Sequence, residues 1–204
     1  ITAVKNYLGL SLKYYLLVMI PSVFGISVLA KPLLSILSTG EIARNAYFVI
    51  PFIAASMLFY GTAILISHIL LLVKKTKLIA KIWMVAAVIN FSLNMIFIFK
   101  FGIIAAAIVT FISYLCAFIL MWYFADKEFI FKINFNFIIK SVVASILMSF
   151  LVGWINPLGL VNILWTVILG VFVYGFLILL FNGVGRKEID FLKSIINPEK
   201  NISI

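Results

Sequence analysis

The chain has 204 residues, of which 66% are apolar and 11% charged, and its 16 Lys and Arg outnumber its 6 Asp and Glu to give a net charge of +10. A mean hydropathy of +1.28, in a chain well above the about 45–50% apolar share of soluble domains, excludes a water-soluble globule. The cations sit in short stretches between apolar runs, not in a basic stripe interleaved with exposed aromatics, so nucleic acid is excluded as a partner.

Apolar runs of about twenty residues or more match the roughly 30 Å of bilayer hydrocarbon at 1.5 Å per residue. In lipid, a helix is the open segment that satisfies its own backbone groups. The fold class is therefore all-α, a polytopic transmembrane helix bundle of about six spans. Span a covers 12–30, where Pro21 kinks the helix and Lys31-Pro32 ends it, with Leu33 to Leu37 adding a short interfacial turn. Span b covers 44–73, carries Pro51 in its first two turns and stops at Lys74-Lys75. Spans c (78–99) and d (101–125) are separated by Lys100 alone and form a tight antiparallel hairpin, with Gly102 opening the return. Spans e (136–155) and f (160–182) flank the turn Asn156-Pro157-Leu158-Gly159. Beyond them, Arg186 to Lys193 reads as a short amphipathic segment on the membrane surface. The chain opens on Ile1, and its first apolar run has no small-residue cleavage site, so a piece of a longer protein is expected and a signal peptide is not.

Orientation follows from the cations, because cytoplasmic loops hold the excess of Lys and Arg. With the spans alternating, thirteen fall on one side: Lys5 and Lys13; Lys74, Lys75, Lys77 and Lys81; Lys127, Lys132 and Lys140; Arg186, Lys187, Lys193 and Lys200. Lys31, Arg44 and Lys100 fall on the other. The segment is thus expected in the cytoplasmic membrane as a multi-pass protein with both ends cytoplasmic.

Candidate chemistry is sparse. The acids Glu41, Asp126, Glu128, Glu188, Asp190 and Glu199 all lie in loops, and no nucleophile sits beside a base, so an enzyme is not expected. Cys116 stands alone in mid-span, and no Cys/His spacing suits a metal. No cofactor is expected.

The strongest polar constellation is on the c/d hairpin. Asn90 and Asn94 are four residues apart and share a helix face, and a turn at Lys100 puts Asn90 at the depth of Thr110 and Asn94 at that of Ala106. Amide and hydroxyl oxygens there suit either a hard cation or hydrogen bonds between helices. Gly102, Ala106, Thr110, Ser113 and Ala117 form a small-residue stripe that admits a close helix neighbour. Lys74, Lys75, Lys77 and Lys81, with His68 one to two turns away, suit an anionic headgroup as well as a topology signal. Trp83, Trp122 and Trp154 lie toward span ends as interface anchors do, and Trp165 more internally.

Three strings carry a resemblance: Tyr14 to Leu34 (YYLLVMIPSVFGISVLAKPLL), Ile69 to Leu78 (ILLLVKKTKL) and Ile89 to Thr110 (INFSLNMIFIFKFGIIAAAIVT). Together they resemble the polysaccharide-flippase branch of the multidrug/oligosaccharidyl-lipid/polysaccharide exporter superfamily, where a basic turn precedes an N-x-x-x-N helix, a K-F-G-type turn and a G-A-A-rich helix. The likeness covers 10–125, and 136–182 by hydropathy alone.

The resemblance implies the C-terminal portion of a two-lobed transporter working by alternating access. Residues 1–125 would be the last four helices of the second lobe, 126–182 two additional transmembrane helices, and 183–204 a cytoplasmic tail. It implies a polyprenyl-diphosphate-linked oligosaccharide or polysaccharide repeat unit as substrate, with membrane lipids and a preceding N-terminal lobe as partners. Substrate-binding charges would lie mostly on the absent helices. It further implies a coupling-ion site, for sodium or a proton, at Asn90, Asn94 and Thr110. Asn94 departs from the family pattern, standing where a carboxylate would supply charge. Spans e and f would line a groove for the lipid tail. A drug exporter of the same superfamily and a membrane ligase or polymerase acting on polyprenyl-linked sugars are the alternatives. Such an enzyme needs a large outer loop, whereas the longest here runs from Lys31 to Ala43.

Overall fold

The computed structural model describes residues 2–38, 46–128 and 135–183, with side chains from Tyr7 onward. Five helices follow one another: α1 Thr2–Leu37, α2 Val49–Leu72, α3 Thr76–Glu128, α4 Phe135–Ile155 and α5 Leu160–Leu180. Each contains a stretch long and apolar enough to cross a membrane, and the chain is a membrane protein. About six separate spans were expected. Among the described residues there are five helices, because spans c and d form one helical element, α3, interrupted at a single residue.

That residue is Gly102, at φ 62° and ψ −145°. The Trp83 and Tyr114 rings, one on each side of it, stand 6.4 Å apart, and Lys75, just before α3, pairs with Glu128 at its far end at 2.6 Å. A straight helix would hold these partners tens of ångströms apart at 1.5 Å per residue. The element therefore doubles back into two antiparallel arms. The expected hairpin is present, and its reversal is at Gly102.

Span a is also longer than expected. α1 continues through Pro21 and Pro32 to Leu37, so Lys31-Pro32 does not end it. Proline forfeits one backbone bond, and lipid offers no alternative partner that would favour unwinding, so the helix persists. Nearby hydroxyls bond carbonyls of the preceding turn: Ser22 Oγ to Val18 at 2.7 Å and Ser27 Oγ to Val23 at 2.6 Å.

α2 ends in a Schellman motif: Lys74 takes the left-handed conformation at φ 57°, while its N–H donates to Leu71 O and that of Lys75 donates to Leu70 O, both at 2.9 Å. α5 ends in the same way around Asn182, whose N–H reaches Leu179 O at 3.0 Å while that of Gly183 reaches Ile178 O at 2.9 Å. The turn expected at Asn156 to Gly159 separates α4 from α5. Arg186 to Lys193, and Glu41 and Arg44, lie outside the described residues.

Packing places α1 in the middle. It lies against α2 on one side and against α4 and α5 on the other, while α3 covers α2. The buried residues divide accordingly. Leu12, Leu16, Ile20 and Leu29 of α1 pack with Phe137, Ala144, Met148 and Val152 of α4 and Ile163, Tyr174 and Ile178 of α5. Ala63, Ile66, Ile69 and Leu70 of α2 pack with Ile82, Ala86, Ala117, Met121 and Ala125 of the α3 arms.

Candidate functional site

Asn90 and Asn94 occupy successive turns of the first α3 arm, both half-buried. The Asn94 Nδ2 donates to Asn90 O at 2.9 Å and to Asn90 Oδ1 at 3.1 Å. Both partners are acceptors, which fixes the orientation of the Asn94 amide. Its Oδ1 then lies shielded and without a partner, a state that costs about 1–3 kcal/mol. Thr110, on the second arm, donates its hydroxyl to Ala106 O one turn back at 2.8 Å. The structure thus joins the two amides to each other within the first arm, and the Thr110 bond likewise stays within its own arm, so none of these bonds links the two arms. Three neutral oxygens, Asn90 Oδ1, Asn94 Oδ1 and Thr110 Oγ1, remain able to accept a ligand proton or face a hard cation. Among the described residues, no three His, Cys, Asp or Glu come together in a way that could hold a metal.

The small-residue stripe divides along its length. Ser113 and Ala117 are buried, Ala117 against α2, and Ala106 is half-buried. Gly102 is exposed at the reversal, and a Cβ there would meet nothing within 4 Å.

At the opposite end of the hairpin lie Lys74, Lys75, Lys77 and Lys81, all exposed. Lys75 is committed to Glu128 in an ion pair whose side chains are 47% and 25% exposed. In that setting the pair contributes about 0–1 kcal/mol. Lys127 covers the Tyr123 ring at 4.1 Å. His68 is exposed, with Nδ1 2.9 Å from Ile64 O. A carbonyl can only accept, so Nδ1 carries the proton and Nε2 faces outward.

Sequence reasoning missed one cluster. Tyr60 of α2, Trp83 of the first α3 arm and Tyr114 of the second form a triad with centroid separations of 5.4, 5.0 and 6.4 Å. Among the described residues, neither the phenol hydroxyls nor the indole N–H make a hydrogen bond, and the polar atoms of Trp83 and Tyr114 are not buried. One signal was available: Trp83, Asn90 and Asn94 follow at seven- and four-residue steps, a single helix face.

Two apolar grooves lie along α4 and α5. One, of about 770 Å³, runs between α4 and α5 and is lined by Leu147, Phe150, Leu151, Leu169, Phe172, Val173, Phe176 and Leu177. The other, of about 690 Å³, lies between α1 and α4 around Phe24, Val28, Phe150 and Trp154.

The chain is similar, at 25% identity over 175 residues, to the probable low-salt glycan biosynthesis flippase Agl15 of Haloferax volcanii. That relative is named as a flippase, not as an enzyme. The alignment takes in 86% of this chain and 37% of the relative, so the chain spans little more than a third of the length of the protein it matches. No family model and no solved structure matches the chain.

Proposed function

We propose that these helices are the C-terminal part of a flippase that moves a polyprenyl-diphosphate-linked oligosaccharide or polysaccharide repeat unit across the cytoplasmic membrane by alternating access. The observation that carries this reading is the likeness to the Haloferax flippase, which extends over 86% of the chain, across both the α3 hairpin and the α4/α5 pair. One further feature agrees with it. The groove between α4 and α5 is lined by apolar side chains, as a lipid tail requires. In this reading the sugar-diphosphate headgroup crosses through a cavity completed by helices outside this chain, while the tail stays in lipid.

The test is translocation in vesicles, using the protein expressed at the full length of its reading frame. Fluorescent lipid-linked oligosaccharide should cross faster than in protein-free vesicles, and equal rates would sink the proposal. Asn94→Ala assigns the amide pair. As part of a coupling-ion site, Asn94 should be worth about tenfold or more in transport with normal expression and melting temperature. As a structural bond to Asn90 alone, it should change the melting temperature and leave transport intact.

We also assign both ends of the segment to the cytoplasm, on the excess of Lys and Arg in the loops that join them. An enzyme reporter active only outside the cell, fused after Lys193, should therefore stay silent. Activity from that fusion would reverse the topology.

A further inference from the structure

We infer that Tyr60, Trp83 and Tyr114 form a sugar-binding surface on the hairpin, where a saccharide ring of the lipid-linked substrate stacks on Trp83 and hydrogen-bonds the two phenol hydroxyls. This rests on the flippase reading and names which part of the substrate this face takes.

The case begins with composition. A sugar ring offers a C–H face and a rim of hydroxyls, and the matching surface is an aromatic face edged with hydrogen-bonding groups. The triad supplies one indole and two phenols from three separate helical segments, with centroids 5.0 to 6.4 Å apart. Trp83 is half-buried, packing in part against the α2/α3 core, and Ala80 and Ala87, one turn away on either side, are exposed and leave its outer side lined by small residues.

The arrangement differs from that of single interface anchors, since three helical segments each contribute one ring to the cluster. Trp83 follows the exposed Lys81 by two residues, so the cluster lies toward the lysine-bearing end of the hairpin. The three polar tips make no hydrogen bond among the described residues, and those of Trp83 and Tyr114 are not buried, so they are open to a ligand with hydroxyls.

Position gives the second line of argument. Trp83 shares one stripe with Asn90 and Asn94, and on the second arm Tyr114 lies one turn from Thr110. The hairpin's uncharged hydrogen-bonding groups thus run along one track, with the triad nearer the lysine-bearing end.

Binding separates the possibilities. The full-length protein is placed in nanodiscs and titrated with two probes: the polyprenyl-diphosphate oligosaccharide extracted from cells that make the protein, and polyprenyl diphosphate without sugar. Trp83→Ala should weaken the sugar-bearing probe about tenfold and leave the sugarless one unchanged. Tyr60→Phe and Tyr114→Phe, which remove only a hydroxyl, should each weaken the sugar-bearing probe by a smaller factor. Trp165→Ala, at an exposed tryptophan on α5, should change neither. Equal affinity of wild type and all three triad variants for the oligosaccharide overturns the inference while the flippase reading stands. Loss of both probes in Trp83→Ala means a damaged fold, and the two hydroxyl deletions then decide. A wild type that neither binds nor translocates the oligosaccharide overturns the flippase reading, and this inference with it.

Discussion

Gly102→Ala should destabilise the hairpin by about 2 kcal/mol, read as a lower melting temperature in detergent, and should slow translocation with it. The cause is purely backbone. At φ 62° and ψ −145° the residue occupies a region that is essentially restricted to glycine, because a Cβ collides with its own peptide groups. Space is not at issue, since nothing lies within 4 Å of where the methyl would sit. Gly175 is the matched control: it too has open space around the missing Cβ, but it lies inside α5 with helical neighbours. Gly175→Ala should therefore be neutral or slightly stabilising, as expected from helix propensity. Equal melting temperatures for the two variants would mean that the reversal does not depend on glycine. The effect reaches the site because the two arms carry Asn90, Asn94 and Trp83 on one side and Thr110 and Tyr114 on the other.

Gly61→Ala should be comparably damaging for the opposite reason. There the backbone is helical and space is the constraint. Tyr15 of α1 lies across Gly61 of α2, its hydroxyl 3.1 Å from Met57 O and 3.3 Å from Leu58 O. A Cβ at position 61 would overlap that hydroxyl and the ring carbon bearing it. The tyrosine must then swing away, losing its bonds to the α2 carbonyls and forcing α1 outward, an overpacking cost of about 1–3 kcal/mol. Because the damage passes through Tyr15, the Gly61→Ala and Tyr15→Ala effects should not add. A double-mutant cycle should give a coupling of about 0.5–3 kcal/mol, and strict additivity would refute the assigned contact.

Much of the architecture is legible in the sequence, because in lipid the length of an apolar run and the breaks between runs carry the fold. The K-F-G string announced a hairpin, and the structure folds there; an equal-depth rule centred on Lys100 pairs residue 83 with residue 117, one turn from its observed neighbour Tyr114. Pro32 misled because its reputation as a helix terminator comes from water, where unwound backbone finds partners. The triad was hidden for another reason. α2 is apolar on nearly every side, so no periodicity marks which face it turns toward α3, and the pairing of Tyr60 with Trp83 depends on that register. Nor does spacing alone reveal the amide geometry at Asn94, whose Oδ1 is left unpaired only because Asn90 offers two acceptors to the other side of the same group.

The central position of α1 has a consequence for biogenesis. It is the first of the described helices to be made, yet Leu12, Leu16 and Ile20 pack against Phe137, Met148 and Ile178, which leave the ribosome more than a hundred residues later. During that interval the same face must be content against acyl chains. Leucine and isoleucine meet both demands, since lipid and helix neighbour are equally apolar to them. A polar residue on this face would therefore exact its cost twice, once during insertion and again when α4 and α5 arrive.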